Sequence, residues 1–349
     1  MKVSHRVELV GLLRQEVEAL MGEMGEASYR GRQVFQWVQA RRALDTDAMT
    51  SMPRALRGIL AGRVYIGRPE AVRVQRSHDG TRKYLFRLID GEEIESVLIP
   101  DDGRLTACIS TQVGCPLACR FCLTGLMGIR RNLIASEIVE QVLALQDGLE
   151  SGERISNIVL MGMGEPLLNF PQVERALRIL SDEYGANFSP RRITVSTAGH
   201  VPGIRKLAAA DLGVNLAVSL SATTDDIRDQ IMPINRRWPI AELLTACRAY
   251  PLPNRRRLTF EYVMLDGVND SREDANRLVR LLRGIRCKIN LIPFNTAPEL
   301  PDRPSPRDRV EAFQHILHDA GLTATIRESR GWDISAACGM LRVEEAKKQ

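Results

Sequence analysis

The chain has 349 residues, of which 44% are hydrophobic and 26% charged, with a formal net charge of +5. That mix describes a globular chain of one large domain with an accessory piece, or two ordinary domains. No apolar run reaches the roughly 18 residues of a membrane span, which excludes a helical membrane protein. Seven cysteines in an intracellular chain of this size exclude a disulfide-built scaffold and point to metal binding or thiol chemistry.

In chain order, "MKVSHRVELVGLLRQEVEAL" reads as an amphipathic helix and not as a secretion signal, an expectation that places the protein in the cytoplasm. Residues 1–58 look helical throughout. "SYRGRQVFQWVQARRAL" sets Val34, Trp37 and Val38 on one face, with Gln33, Gln36 and Gln39 pointing elsewhere, and a short helix follows Pro53. Residues 59–103 change to a β texture, with Asp79-Gly80 and Asp90-Gly91 as hairpin turns between alternating runs.

From residue 104 a β-then-α rhythm sets in. Strand-like runs occur at "ACISTQV", "SNIVLMG", "RRITVST", "VNLAVSL", "LTFEYVML" and "KINLIPF". Helical segments separate most of them. In "SEIVEQVLALQDGL", for example, Ser136 is placed to cap the start, and Ile138, Val142, Leu145 and Leu149 share a face. Six such units predict a parallel sheet, either open and doubly wound or a barrel. The unusual polar segments all follow strands: Cys115 to Cys122, "GMGEP" (162–166), "STAG" (196–199), "SLSA" (219–222) and Asn295. In a parallel sheet those positions share the carboxyl edge, where such folds place active sites.

Cys115-x3-Cys119-x2-Cys122 is one thiol short of a closed tetrahedral site, and no His stands nearby. Zinc would need a distant fourth ligand. An iron–sulfur cluster fits better, because one iron can remain without a protein ligand and bind a small molecule. Cys108 lies on the first strand of the array, and Cys338 lies in the Gly-flanked tail "RGWDISAACGML". Cys247 and Cys287 sit in apolar contexts and read as inert core thiols. The arginine clusters at 130–131, 191–192, 236–237 and 255–257 are either solvated faces or a phosphate-binding surface.

C-x3-C-x2-C with Phe121 before its last Cys, followed by "GMGEP" after the next strand, resembles the pattern of the radical S-adenosylmethionine enzymes. The whole chain resembles the RlmN/Cfr family of radical S-adenosylmethionine RNA methyltransferases. The likeness runs from "GRQVFQWV" through "ESVLIP", "CISTQVGCPLACRFC", "RNL", "MGMGEPLLN", "STAG", "VSLSA", "IMPIN" and "NLIPFN" to "GWDISAACG".

The resemblance implies an α/β fold: a partial (β/α)6 barrel (104–349) with an N-terminal helical accessory domain (1–58) and a β-hairpin extension (59–103). It implies one [4Fe-4S] cluster on Cys115, Cys119 and Cys122. It also implies S-adenosylmethionine bound by Gly164 and Glu165 at the amine, and by Ser196, Ser219, Leu220, Ser221 and Asn295 elsewhere. By the same resemblance Cys338 is methylated, a 5′-deoxyadenosyl radical activates that methyl group, Glu95 accepts the ring proton, and Cys108 releases the product through a transient Cys108–Cys338 disulfide. Strand alternation alone puts Glu93 and Glu95 on one face, opposite Glu92, and does not choose between them.

The implied substrates are 23S rRNA and certain tRNAs, methylated at adenosine carbon 2. The implied electron donor is a flavodoxin or ferredoxin, and the expected state is a monomer. Cfr-like relatives methylate carbon 8 instead, and a non-catalytic iron–sulfur or zinc RNA-binding regulator is the alternative from another class. A radical enzyme acting on a small molecule would leave the basic N-terminal region unexplained. Two positions depart from many relatives, which carry His at Ser221 and Gln at Met340.

Overall fold

A computed structural model of the chain describes residues 6–343. The opening helix is shorter than its apolar pattern suggests. The first described element is strand β1 (Val7–Glu8), and helix α1 runs only from Arg14 to Glu23. The Glu8 carboxylate accepts the amides of Val10 and Gly11 at 2.6 and 2.8 Å, a local turn that competes with helix formation. Residues 1–5 of the expected helix lie outside the described residues.

Helix α2 (Ser28–Gln39) buries Val34, Phe35 and Val38 as its period requires. Gln39, expected to point away, is buried as well. Its amide nitrogen donates to the carbonyl of Val10 at 2.8 Å and so satisfies an acceptor inside the core. Helix α3 (Arg54–Arg63) follows Pro53 and leads into β2 (Val64–Tyr65), which pairs in parallel with β1.

Strands β3 (Glu70–Arg76), β4 (Arg82–Arg87), β5 (Glu93–Asp101) and β6 (Arg104–Cys108) form an antiparallel meander. Gly80 and Gly91 close its first two turns at φ 83° and 87°, the left-handed conformation glycine tolerates. β7 (Gln112–Gly114) and β8 (Ile129–Asn132) pair across the neck of the cysteine loop, which also holds the short helix α4 (Leu123–Leu126). A Cβ at Gly114 would stand 1.9 Å from the carbonyl oxygen of Gly128, so only glycine closes this neck.

The β/α array follows. Helix α5 (Ala135–Asp147) leads to β9 (Ile155–Leu160), α6 (Phe170–Ser181) to β10 (Ile193–Thr197), and α7 (Val201–Ala209) to β11 (Asn215–Ser219). Helices α8 (Asp225–Ile231) and α9 (Ile240–Ala249) precede β12 (Leu258–Met264). Helix α10 (Arg272–Leu282) precedes β13 (Cys287–Pro293), and α11 (Arg307–Asp319) precedes β14 (Ala324–Ile326). Ser136 does not cap α5. The helix starts one residue earlier, and the Glu137 carboxylate accepts the Ile134 amide at 3.0 Å in the capping role.

One ten-stranded sheet runs β14-β13-β12-β11-β10-β9-β6-β5-β4-β3, parallel from β14 to β6 and antiparallel beyond. The parallel strands follow chain order without a reversal. Every crossover therefore advances the same way, and right-handed crossovers stack their helices on one face. That excludes the doubly wound alternative and makes the array a partial barrel. Its row ends at unpaired edges, so it stays open. After β14 the chain leaves the sheet, and the tail that follows carries Cys338. Among the described residues no helix is long and apolar enough to cross a membrane.

Candidate active site

The loops at the carboxyl ends of the parallel strands meet the tail in one cleft. Cys115, Cys119 and Cys122 line it, together with Gly164, Glu165, Ser196, Ser219, Asn295 and Cys338. The cysteine loop is held from two sides. The Arg120 amide donates to the carbonyl of Ile231 at 2.9 Å, and its guanidinium grips Asp302 at 2.6 and 2.9 Å. The Leu123 amide donates to Gly339 of the tail at 2.7 Å.

All three thiols are free. Burial pushes the Cys115 thiol up to about 12 and raises Cys119 and Cys122 too, so metal loading must displace protons. Among the described residues no three His, Cys, Asp or Glu gather around a single ion. A mononuclear zinc site needs that convergence. A cluster takes one thiolate on each of several irons, and three thiols around a common cleft are the donor set for it.

The "GMGEP" segment is more than a turn. Gly164 has φ 103°, and a Cβ there would sit 2.6 Å from Cβ of Gln112. The buried Glu165 that follows accepts the amides of Ala198 at 2.7 Å and Leu167 at 3.1 Å. Burial still outweighs these bonds and raises its carboxyl to about 7. Leu220 and Ser221, by contrast, do not line the cleft; both are fully buried behind it. Ser221 Oγ accepts the Val263 amide at 3.2 Å, and its carbonyl accepts Asn269 Nδ2 at 2.7 Å. Met340, the other departure, packs with Leu123, Phe294 and Ala337 in a small apolar cluster.

Cys338 is an exposed residue of the tail whose thiol faces the cleft. Asn295 Nδ2 donates to its carbonyl at 3.2 Å, and Thr124 Oγ1 donates to Leu341 O at 2.6 Å. Surrounding protein pushes the Cys338 thiol up to about 11. Cys108, the last residue of β6, lies buried one layer behind. Burial first, and the charge of Cys338 second, push its thiol up to about 12. Glu95 is fully buried and also stands behind the lining. Burial raises its pKa, opposed by Lys83 at 2.9 Å and by the Arg342 amide at 2.8 Å. Glu93, its neighbour on the same face, is only half-buried and pairs with Arg87 at 2.9 Å. Burial thus separates two acids that strand alternation left together.

Three residues escaped the sequence reading. Arg228 is fully buried and donates to the carbonyls of Ala198, Ser219 and Leu220 at 2.7 to 3.0 Å and to Asn235 Oδ1 at 3.0 Å. It ties the loops after β10 and β11 together, and burial lowers its pKa to about 10. The "IMPIN" segment supplies Asn235, which gives that motif a reason. Glu261 on β12 accepts Asn290 Nδ2 through one oxygen at 3.0 Å, while its other oxygen, beside the cleft, is buried without a partner among the described residues. A lone acid inside the apolar run "LTFEYVML" was the available signal. Arg327, just past β14, lines the same wall. Of the arginine clusters, Arg131 is engaged by Glu137 and Asp90 and Arg256 by the carbonyl of Gly213, whereas Arg191, Arg192, Arg236 and Arg237 are exposed.

The chain is similar to known proteins over most of its length. A family model for the radical SAM superfamily matches residues 109–279, and one for a ribosomal RNA large subunit methyltransferase N-terminal domain matches residues 7–66. A protein of Rhodospirillum rubrum named dual-specificity RNA methyltransferase RlmN is 52% identical, over 98% of this chain and 82% of its own length. A protein of the same name from Syntrophus aciditrophicus is 51% identical over 97% of both chains. The crystal structure of a radical SAM methyltransferase from Sphaerobacter thermophilus superposes with a TM-score of 0.92 at 49% identity, covering 97% of this chain and 100% of the other.

Proposed function

The chain belongs to the RlmN family of radical S-adenosylmethionine RNA methyltransferases, and on that premise we propose that it methylates carbon 2 of an adenosine in 23S rRNA and in certain tRNAs. The observation that carries the proposal is the layering of two thiols and one acid at a single cleft, with Cys338 on its wall and Cys108 and Glu95 behind it.

Adenine carbon 2 is electron-poor and its hydrogen is not acidic, so a sulfonium methyl finds no nucleophile there. A [4Fe-4S] cluster held by Cys115, Cys119 and Cys122, with S-adenosylmethionine against the cleft-lining Gly164, Glu165, Ser196, Ser219 and Asn295, would supply the one-electron chemistry that joins the carbon to the ring. The protein's own groups do the rest. The Cys338 sulfur carries the one-carbon unit and remains bonded to it as a thioether while the carbon is attached to adenine. The Glu95 carboxylate takes the ring proton. The Cys108 thiolate then attacks the Cys338 sulfur: the S–S bond forms, the C–S bond breaks, and its electron pair goes to the carbon, which takes up a proton to become methyl. A dithiol reductant returns both cysteines to thiols.

The helices before residue 67 and the exposed arginines would hold folded RNA by its phosphates and shape. We place the protein in the cytoplasm as a monomer, with a flavodoxin or ferredoxin as the electron source. The test is anaerobic loading with iron and sulfide, then incubation with an rRNA fragment and methyl-labelled cofactor. Label on adenosine carbon 2, with a covalent RNA adduct trapped by Cys108→Ala and absent once Cys338→Ser is added, is the expected result. Full activity of Cys338→Ser would sink the scheme, and label at carbon 8 would change its product.

A further inference from the structure

We infer that Lys83 is a positioning residue for this reaction: it keeps the Glu95 carboxylate charged inside the protein and ties that carboxylate to the segment carrying Cys338. The inference rests on the reading of Glu95 as the proton acceptor.

Register brings the two together. In the β4–β5 pairing Lys83 stands opposite Val97 and Glu95 opposite Leu85, so they are diagonal neighbours on one face. Lys83 is 6% and Glu95 0% exposed, and their charged atoms lie 2.9 Å apart. Each also holds the tail. Lys83 Nζ donates to the carbonyl of Ser335 at 3.3 Å, and the second carboxylate oxygen accepts the Arg342 amide at 2.8 Å. The pair therefore grips the chain on both sides of Cys338.

Among the described residues no other cation serves Glu95 as Lys83 does. Arg73, on β3, faces the same side but is exposed. The Arg342 guanidinium is taken by Glu299 at 2.6 Å, and Glu93 is occupied with Arg87. A buried carboxylate stripped of its cation takes up a proton, and a protonated one accepts none from a ring carbon. Glu95 also stands behind the cleft lining while Cys338 is on it.

The test uses the full-length, cluster-loaded enzyme with an rRNA fragment, comparing Lys83→Met, Lys83→Arg and Glu95→Gln. For Lys83→Met the acidic limb of the pH–rate profile should move up by about one unit or more. The covalent RNA adduct should accumulate at neutral pH, and iodoacetamide should label the Cys338 peptide several-fold faster. Lys83→Arg should restore the limb. An unchanged limb and adduct level in Lys83→Met, while Glu95→Gln stalls at the adduct, would overturn the inference and leave the acceptor reading intact. Normal turnover by Glu95→Gln would overturn both. Should Lys83→Met fail to fold, the double variant Lys83→Met/Glu95→Gln buries no lone charge. Its Cys338 labelling then decides: faster supports the tether, and a wild-type rate overturns it.

Discussion

Glu165 and Ser219 line the cleft, whereas Ser221, two positions further along, has turned its hydroxyl into the sheet. Side chains that touch a ligand and side chains that hold the wall should therefore separate in one binding experiment. Glu165→Gln removes the charged partner expected for the cofactor amine. It should weaken S-adenosylmethionine binding by about ten-fold or more, in line with a charged hydrogen bond worth roughly 1.5–3 kcal/mol. Ser219→Ala should weaken it less, and Ser221→Ala should leave it within about two-fold. Titration calorimetry on the loaded enzyme reads all three. Equal losses at 219 and 221 would mean the cofactor reaches past the wall.

At the scale of elements, α8 matters through Arg228, whose guanidinium binds the carbonyls of two cleft loops from inside the core. Arg228→Met leaves those acceptors without a donor and should destabilise the fold by about 3 kcal/mol, measured by urea unfolding. Helix α5 carries a pH-dependent term. Burial first, then the nearby Glu8 charge, raise the Glu140 carboxyl to about 8 against its ordinary 4.5. A raised acid favours its neutral form in the folded state. Its contribution is therefore complete below the ordinary value and is lost as pH climbs toward 8. Glu140→Gln, which mimics the neutral form, should leave the melting temperature unchanged near about pH 5 and raise it near about pH 8.5. Stabilisation at the acid end instead would reverse the assignment.

Over the whole molecule the helices before residue 67 and the barrel share one core. Leu9, Val34, Phe35 and Leu60 belong to the same buried cluster as the parallel strands. Arg175 of α6 donates to the carbonyl of Gly11 at 2.7 Å and pairs with Glu16. Removing residues 1–66 should therefore not free a stable barrel. The truncated chain should aggregate or melt lower by more than about 10 °C in a thermal scan. A soluble fragment that unfolds cooperatively near the parent temperature would contradict a shared core.

The sequence by itself determined the element types of the β/α array, the turns at Gly80 and Gly91 in the antiparallel meander before it, and the convergence of five polar segments on one sheet edge. All of these follow from local periodicity, glycine geometry and the direction of parallel strands. It also contained the three-thiol loop, because ligand spacing is a property of contiguous chain. Barrel against open sheet, the full burial of Glu95 beside a half-buried Glu93, and the burial of Gln39 were decided only in three dimensions. Each depends on which distant group arrives to pair or to exclude water: Lys83 and the Arg342 amide at Glu95, Val10 at Gln39. Arg228 and the unpartnered oxygen of Glu261 belong with them. Burial and hydrogen-bond satisfaction are sums over the whole packed molecule, and no window of sequence contains those sums.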